Sequence, residues 1–323
     1  MKEEKYVIYE KSKIDEYLRE FFGGIYTRSE IEELQESSLL MEEWAKDECF
    51  TKFIGGMEEW AKDEEAAGSP EKLSCDWYHG TWQYMRLLNM VAVPRWYSFY
   101  KDALSTVLRQ KPNANVMISA CADYGMLHTL DYSVRAVGAH PNIVVYDICN
   151  TPLKSSQWYA NRHNLAITCI CDNIITANIE DSSFDLVVTD EFLTVLKAPC
   201  KPMIIEKWKK ILKPGGTVVT TAMIGKPTRQ ELRDRYAERA GNLFATYGNV
   251  MFPEHSSSEE KKQKLLRQFH QFAMFHTRHM IKDEKEIRNL FKDFKYLSII
   301  PLTTLGECVN PTDSFQISAR LEE

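Results

Sequence analysis

The sequence predicts an α/β chain: a doubly wound sheet, parallel apart from a closing antiparallel hairpin, preceded by a helical extension. Three observations predict it. Between residues 115 and 223, short, nearly all-apolar runs alternate with helix-compatible stretches, which is how parallel strands buried on both faces read. Asp123, Asp147, Asp172 and Asp190 each stand at or just beyond the end of such a run, and sheets of this kind bind ligands outside the carboxyl ends of their strands. The last two apolar runs, 296–301 and 314–321, are joined by the turn-rich GECVNPTD with no helix between them, the pattern of a hairpin.

Residues 1–111 read as a helical, aromatic-rich extension or lid. Ile14, Tyr17, Leu18, Phe21 and Phe22 have helical spacing before Gly23-Gly24. Ser29 with Glu32 reads as a capping box opening a helix through Leu40. The string MEEWAKDE occurs at 41–48 and again at 57–64; its Met, Trp and Ala fall at i, i+3, i+4, so two similarly packed helix faces explain it. AAGSP at 66–70 is a loop. Trp77, Tyr78, Trp82, Tyr84, Trp96, Tyr97, Phe99 and Tyr100 then crowd into one stretch. Aromatic stripes ordinarily pack a seam between layers. The same rings can wall a cationic or planar ligand, each worth about 0.5–2 kcal/mol through cation–π attraction. His79, with Gly80, sits among them on an expected turn and is a titratable candidate.

Residues 112–323 form the α/β part, with 228–282 as a helical insertion. NVMISACADYGML (115–127) is a strand, a small-residue turn and a helix start; such turns let a ligand approach backbone amides and the helix N-terminus. A helix to Val137 ends at Gly138. Strands follow at 142–146, 166–171 and 184–189, then a helix over 201–212 closed by Lys213-Pro214-Gly215-Gly216, and a fifth strand over 217–223. Long charged helices span 228–247 and 258–280, with a shorter one at 284–294.

The net charge of −6 argues against nucleic acid as the main partner. No apolar run reaches the roughly 18 residues that span a bilayer, and the acidic start is unlike a signal peptide, so neither membrane nor export is expected. The eight cysteines show no paired CxxC spacing; reduced core thiols, a cytoplasmic location and no metal are the expectation. The oligomeric state is open, a homodimer included.

At this point the residues resemble the class I S-adenosylmethionine-dependent methyltransferases over roughly 115–321. Asp147 at the second strand end, SFDLVVTDEFL and LKPGGTVVTT carry the resemblance. The first motif departs from the family's Gly-x-Gly-x-Gly: Ala120-Cys121-Ala122-Asp123-Tyr124 precedes Gly125, and Ile118 stands where an acid is usual. The resemblance implies a Rossmann-like sheet and S-adenosylmethionine as cofactor or sole substrate. It puts Ser119, Ala120, Cys121, Ala122, Asp123 and Gly125 at the methionine end. Asp147, with Ile148, would meet the ribose; Asp172, Asn173 and Ile174 would flank the adenine; Thr189, Asp190 and Glu191 would face the transferred group. Trp77, Tyr78, Trp82 and Trp96 would wall the sulfonium. The catalytic candidates are Tyr78, His79, Tyr124, Asp190 and Glu191.

The expected activity is methyl transfer to a small molecule of natural-product or amino-acid type. ISACADYGML together with WYHGTWQYMRLLNM also resembles a branch that cyclises S-adenosylmethionine to azetidine-2-carboxylate, releasing methylthioadenosine. The lost glycines leave a non-catalytic cofactor-binding scaffold as a further alternative. A nicotinamide oxidoreductase is disfavoured by the absent GxGxxG and by the closing hairpin.

Overall fold

The computed structural model describes residues 26–46, 75–91, 93–94, 98–225, 230–276, 278–302 and 314–323. The expected helix at 10–22, the second MEEWAKDE copy, the 66–70 loop, Trp96, Tyr97 and the 306–313 turn lie outside the described residues.

Seven strands form one sheet: β1 (Asn115–Ser119), β2 (Asn142–Asp147), β3 (Ile167–Cys171), β4 (Phe184–Val188), β5 (Leu212–Met223), β6 (Tyr296–Leu302) and β7 (Ser314–Arg320). Their order is β3-β2-β1-β4-β5-β7-β6. β1 to β5 pair in parallel, while β7 runs antiparallel to both β5 and β6. The chain steps outward from β1 to β3 and returns to β4 beside β1, so the strand order reverses between β1 and β4, where a ligand crevice is expected.

Period-two alternation explains how short runs fill two cores. Val116 and Ile118 of β1, with Val145 and Val219, join the core on one face. Met117, Tyr146 and Val218 join the core on the other. Helices α4 (Gly125–Val137) and α5 (Asn150–His163) end on residues in the left-handed conformation, Gly138 at φ 66° and Asn164 at φ 56°, as C-capping positions favour.

The extension contributes α1 (Arg28–Ala45), a 3-10 turn (Cys75–Trp77), α2 (His79–Leu87) and α3 (Ser98–Gln110). The capping box of α1 is Thr27 with Glu30, not Ser29 with Glu32. Thr27 is extended, its backbone N–H donates to Glu30 Oε2 at 2.6 Å, and its hydroxyl accepts from the Glu30 amide at 3.3 Å. His79 and Gly80 open α2 instead of forming a turn, because the 3-10 turn before them already redirects the chain.

After β4 come the one-turn helix α6 (Phe192–Val195) and α7 (Cys200–Ile211). β5 starts five residues earlier than expected. Lys213-Pro214-Gly215-Gly216 therefore lies within the strand as an irregularity, with Gly215 at φ 69° and Leu212 opposite Phe184 across a register shift. A Cβ on Gly216 would meet the Lys213 carbonyl at 2.8 Å, so glycine is needed there for space.

Beyond β5 lie α8 (Gln230–Met251), α9 (Pro253–Ser256), α10 (Glu259–Phe275) and α11 (Glu284–Leu290). α10 stops at Phe275, short of the expected 280. The Arg233 guanidinium donates to the Ala273 and Met274 carbonyls and satisfies groups that a longer helix would have used. The chain then runs across the end of β5, where Ile281 bridges Ile224.

α1, α2, α8 and α10 pack together as a layer over the cleft. Gln35 donates to the carbonyls of Val250 and Met251 at 3.1 and 3.2 Å. Glu42 accepts from Tyr84, His255 and Lys264 at 3.0, 2.9 and 2.5 Å.

Candidate functional site

A cavity of about 270 Å³ opens at the carboxyl ends of the strands. Its lining draws on the β1 loop (Ala120 to Asp123), the ends of β2 and β3 (Asp147, Ile148, Asp172, Asn173 and Ile174) and the segment after β4 (Asp190 and Glu191). Trp77, Tyr78 and Trp82 roof it, together with Phe275 and His276 at the end of α10.

Among the expected residues, several do not line this cavity, for local reasons. Ser119 is buried and accepts from the Trp208 indole at 3.1 Å. Thr189 is buried, its carbonyl 2.8 Å from the Tyr100 hydroxyl. His79 is buried at the start of α2, where Nδ1–H donates to the Ala122 carbonyl at 3.3 Å, so it positions the loop. Tyr124 points to the other side of the loop, stacked on Tyr159 at 4.9 Å with the Arg86 guanidinium over its ring. Gly125 begins α4; a Cβ there would meet Asp123 Oδ1 at 2.8 Å.

The loop is held by two carboxylates. Asp147 Oδ2 accepts from the Cys121 amide at 2.9 Å and Oδ1 from the Cys149 amide at 2.8 Å. A carboxylate oxygen can accept more than one hydrogen bond, so holding the loop is compatible with meeting a ligand hydroxyl. Asp123 Oδ1 accepts from the Gly125 amide at 2.7 Å, and Oδ2 is paired with the buried Arg86. Sequence reasoning missed Arg86, although a lone charge inside the apolar YMRLLNM segment was the available signal. Ala120 takes the left-handed conformation, φ 66°. That conformation suits glycine and costs other residues roughly 1–2 kcal/mol, so the backbone keeps a glycine-like turn without the glycine.

Across the cavity, Asp190 Oδ1 accepts from the Thr221 hydroxyl at 2.7 Å and lies 2.8 Å from the Tyr100 hydroxyl. Glu191 also has a positive φ, 53°, and accepts from Thr194 at 2.8 Å and Ser314 at 3.1 Å. Burial, then the Glu191 charge, pushes the Asp190 carboxyl up to about 7, and burial raises Glu191 as well. Strained backbone and raised carboxyl pKa values together mark candidate chemistry.

In the roof, Tyr78 stacks on Phe272 at 5.8 Å and meets Trp82 at 5.5 Å and His276 at 5.4 Å. These rings both pack the seam and face the cavity. Tyr84 and Tyr100 are wholly interior. Among the described residues no group of three or more His, Cys, Asp or Glu could hold a metal, and no helix is long and apolar enough to cross a membrane.

The donor set suits S-adenosylmethionine: an acceptor carboxylate at the end of β2, an amide and a carboxylate after β3, open backbone at the β1 loop, and ring faces for a cation. Residues 126–220 match the family model described as a methyltransferase domain. No curated protein matches the chain. Among solved structures, it is similar to a SAM-dependent methyltransferase from Methanosarcina mazei, 17% identical over 66% of this chain and 95% of that one, TM-score 0.42. It is likewise similar to the N-methyltransferase NodS from Bradyrhizobium japonicum in complex with S-adenosylhomocysteine, 14% identical over 70% and 88%, TM-score 0.42. A SAM-dependent methyltransferase from Aquifex aeolicus is 12% identical over 69% and 89%, TM-score 0.40. The matched segment, residues 126–220, runs from α4 into β5 and so includes the strand ends that bring Asp147, Asp172 and Asp190 to the cavity.

Proposed function

We propose that the chain methylates a small molecule of natural-product or amino-acid type in this cavity, and that Asp190 takes the acceptor's proton. The carrying observation is the facing of two acidic groups across one aromatic-roofed cavity. Asp147 and Asp172 stand on the β2–β3 side, and the raised-pKa pair Asp190 and Glu191 on the β4 side.

Asp147 would bind the ribose, with Ile148 beside it; Asp172, Asn173 and Ile174 would flank the adenine; Ala120 to Asp123 would meet the methionine end. When bound, the cofactor supplies an electrophilic methyl group on a cationic sulfur. Trp77, Tyr78 and Trp82 present ring faces to that charge and exclude water. Asp190 Oδ1 is engaged by hydroxyls, so Oδ2 is the oxygen left to accept a proton. A carboxyl near 7 is poised for that task at neutral pH. Residues 1–111 act in this reading as the lid, and 228–282 as the insertion that completes it.

Calorimetry with S-adenosylhomocysteine and mass spectrometry after incubation with S-adenosylmethionine test the proposal. Binding, together with S-adenosylhomocysteine formed only when an acceptor is added, is the expected result. Methylthioadenosine and a small imino acid from S-adenosylmethionine alone would replace methyl transfer by cyclisation. No heat from folded protein would leave a scaffold.

A further inference from the structure

The cavity is bipolar, and its positive end has no occupant in the proposed function. The acids come from the β1, β2, β3 and β4 ends; the cations come from Lys197 after α6 and Arg278 after α10. The crossing segment that carries Arg278 is pinned at the β4–β5 end. The His279 amide donates to the Thr194 carbonyl at 2.6 Å, and the Ile281 amide to the Met223 carbonyl at 2.9 Å.

Arg278 lines the cavity, half-buried, yet makes no hydrogen bond or ion pair among the described residues. The cavity's acids are engaged elsewhere: Asp123 by Arg86, Asp147 by backbone amides, Asp172 by the Asn173 amide, Asp190 and Glu191 by hydroxyls. Two imidazoles of the cavity wall are held low, first by burial and then by neighbouring cations. Burial, then Arg278 and Arg233, holds His276 well below the ordinary histidine range. Burial, then Lys201 and Lys197, lowers His279. An uncompensated guanidinium sharing a cavity with a cationic sulfonium is repulsive. A planar fork of donors is what bidentate recognition of an oxyanion uses.

We propose that the methyl acceptor carries an oxyanion, carboxylate or phosphate, that pairs with Arg278 at the β4–β5 end beside Lys197. The proposal rests on the reading of the cavity as a methyl-transfer site and names the acceptor's chemical class. The anion neutralises the positive end and anchors the acceptor while its nucleophilic atom faces Asp190.

The test titrates benzoate, phenyl phosphate and benzamide into the full chain by calorimetry, with and without S-adenosylhomocysteine, in wild type, Arg278→Lys and Arg278→Met. At least one anion is expected to bind tenfold or more tightly than benzamide. Arg278→Met should erase that preference, and Arg278→Lys should keep part of it. Equal binding of all three probes, or a preference that survives Arg278→Met, overturns the proposal. A second arm separates the acceptor's oxyanion from the cofactor's own carboxylate. S-adenosylhomocysteine and methylthioadenosine, which lacks that carboxylate, should each change less than twofold in Arg278→Met. A tenfold loss for S-adenosylhomocysteine alone assigns Arg278 to the cofactor and overturns the acceptor assignment. If wild type binds no S-adenosylhomocysteine, the methyl-transfer reading fails, while the cofactor-free anion titration still decides whether an oxyanion site exists.

Discussion

Arg86 and Asp123 form an ion pair buried from solvent, with 1% and 5% of their surfaces exposed. The pair ties α2 in the roof to the loop after β1 in the floor. Arg86 also donates to the Tyr26 hydroxyl at 3.0 Å and to Gln83 at 3.3 Å. Removing one partner of such a pair strands the other charge in a low-dielectric interior, at a cost of about 3–5 kcal/mol. Asp123→Ala is therefore expected to lower the unfolding free energy by that amount, read from urea denaturation. A midpoint indistinguishable from wild type would show that the pair contributes nothing to stability.

Asp147 has a structural task, holding the Cys121 and Cys149 amides, and a proposed ligand task at the ribose. Asp147→Ala should lose both: about 1–3 kcal/mol of cofactor affinity, and some stability. Calorimetry with S-adenosylhomocysteine alongside a denaturation curve separates the two. Lowered stability with unchanged affinity would reduce Asp147 to a turn cap.

Ala120 supplies an internal control on the loop. Its left-handed backbone costs roughly 1–2 kcal/mol, while glycine adds about 0.4–1 kcal/mol of unfolded-state freedom. Ala120→Gly should raise stability by up to about 1.6 kcal/mol, whereas β-branched Ala120→Val should lower it. Thermal denaturation of the two variants gives the order. A destabilised Ala120→Gly would mean that the methyl group's contacts outweigh the strain.

The Asp190 carboxyl makes stability depend on pH with a definite sign. Burial and the Glu191 charge raise it to about 7 in the folded chain, against about 3.9 when unfolded. The folded state therefore holds a proton that the unfolded state has released, and stability falls as pH rises between those values. Asp190→Asn preserves Oδ1 as an acceptor for Tyr100 and Thr221, so it should flatten that part of the profile without dismantling the network. Wild-type methyl transfer should rise with pH through about 7, and the variant should lose that limb along with most of its rate. An unchanged rate profile in Asp190→Asn would place the base elsewhere.

The strands were legible because their code is local: alternate residues of β1 and β2 enter opposite cores. The acids that line the cavity were legible for the same reason, since a strand-end position can be counted from an apolar run. What escaped depends on partners distant in sequence. β5 begins at Leu212 because Phe184 pairs there, and α10 ends at Phe275 because Arg233, some 40 residues earlier, takes its last carbonyls. Within the loop itself, spacing could not tell cavity from interior. A tight turn sends Asp123 inward to the ligand side and Tyr124 outward onto Tyr159. Arg278 was hidden inside a stretch that reads as helix.

Glu42 accepts from His255 and Lys264, which lie 213 and 222 residues further along the chain. On a ribosome adding about 5–20 residues per second, α1 and α2 wait roughly 10–40 s for those partners. Throughout that interval the ring face of Tyr78 lacks Phe272, its eventual stacking neighbour. The nascent chain thus carries this aromatic surface without its stacking partner for most of its translation.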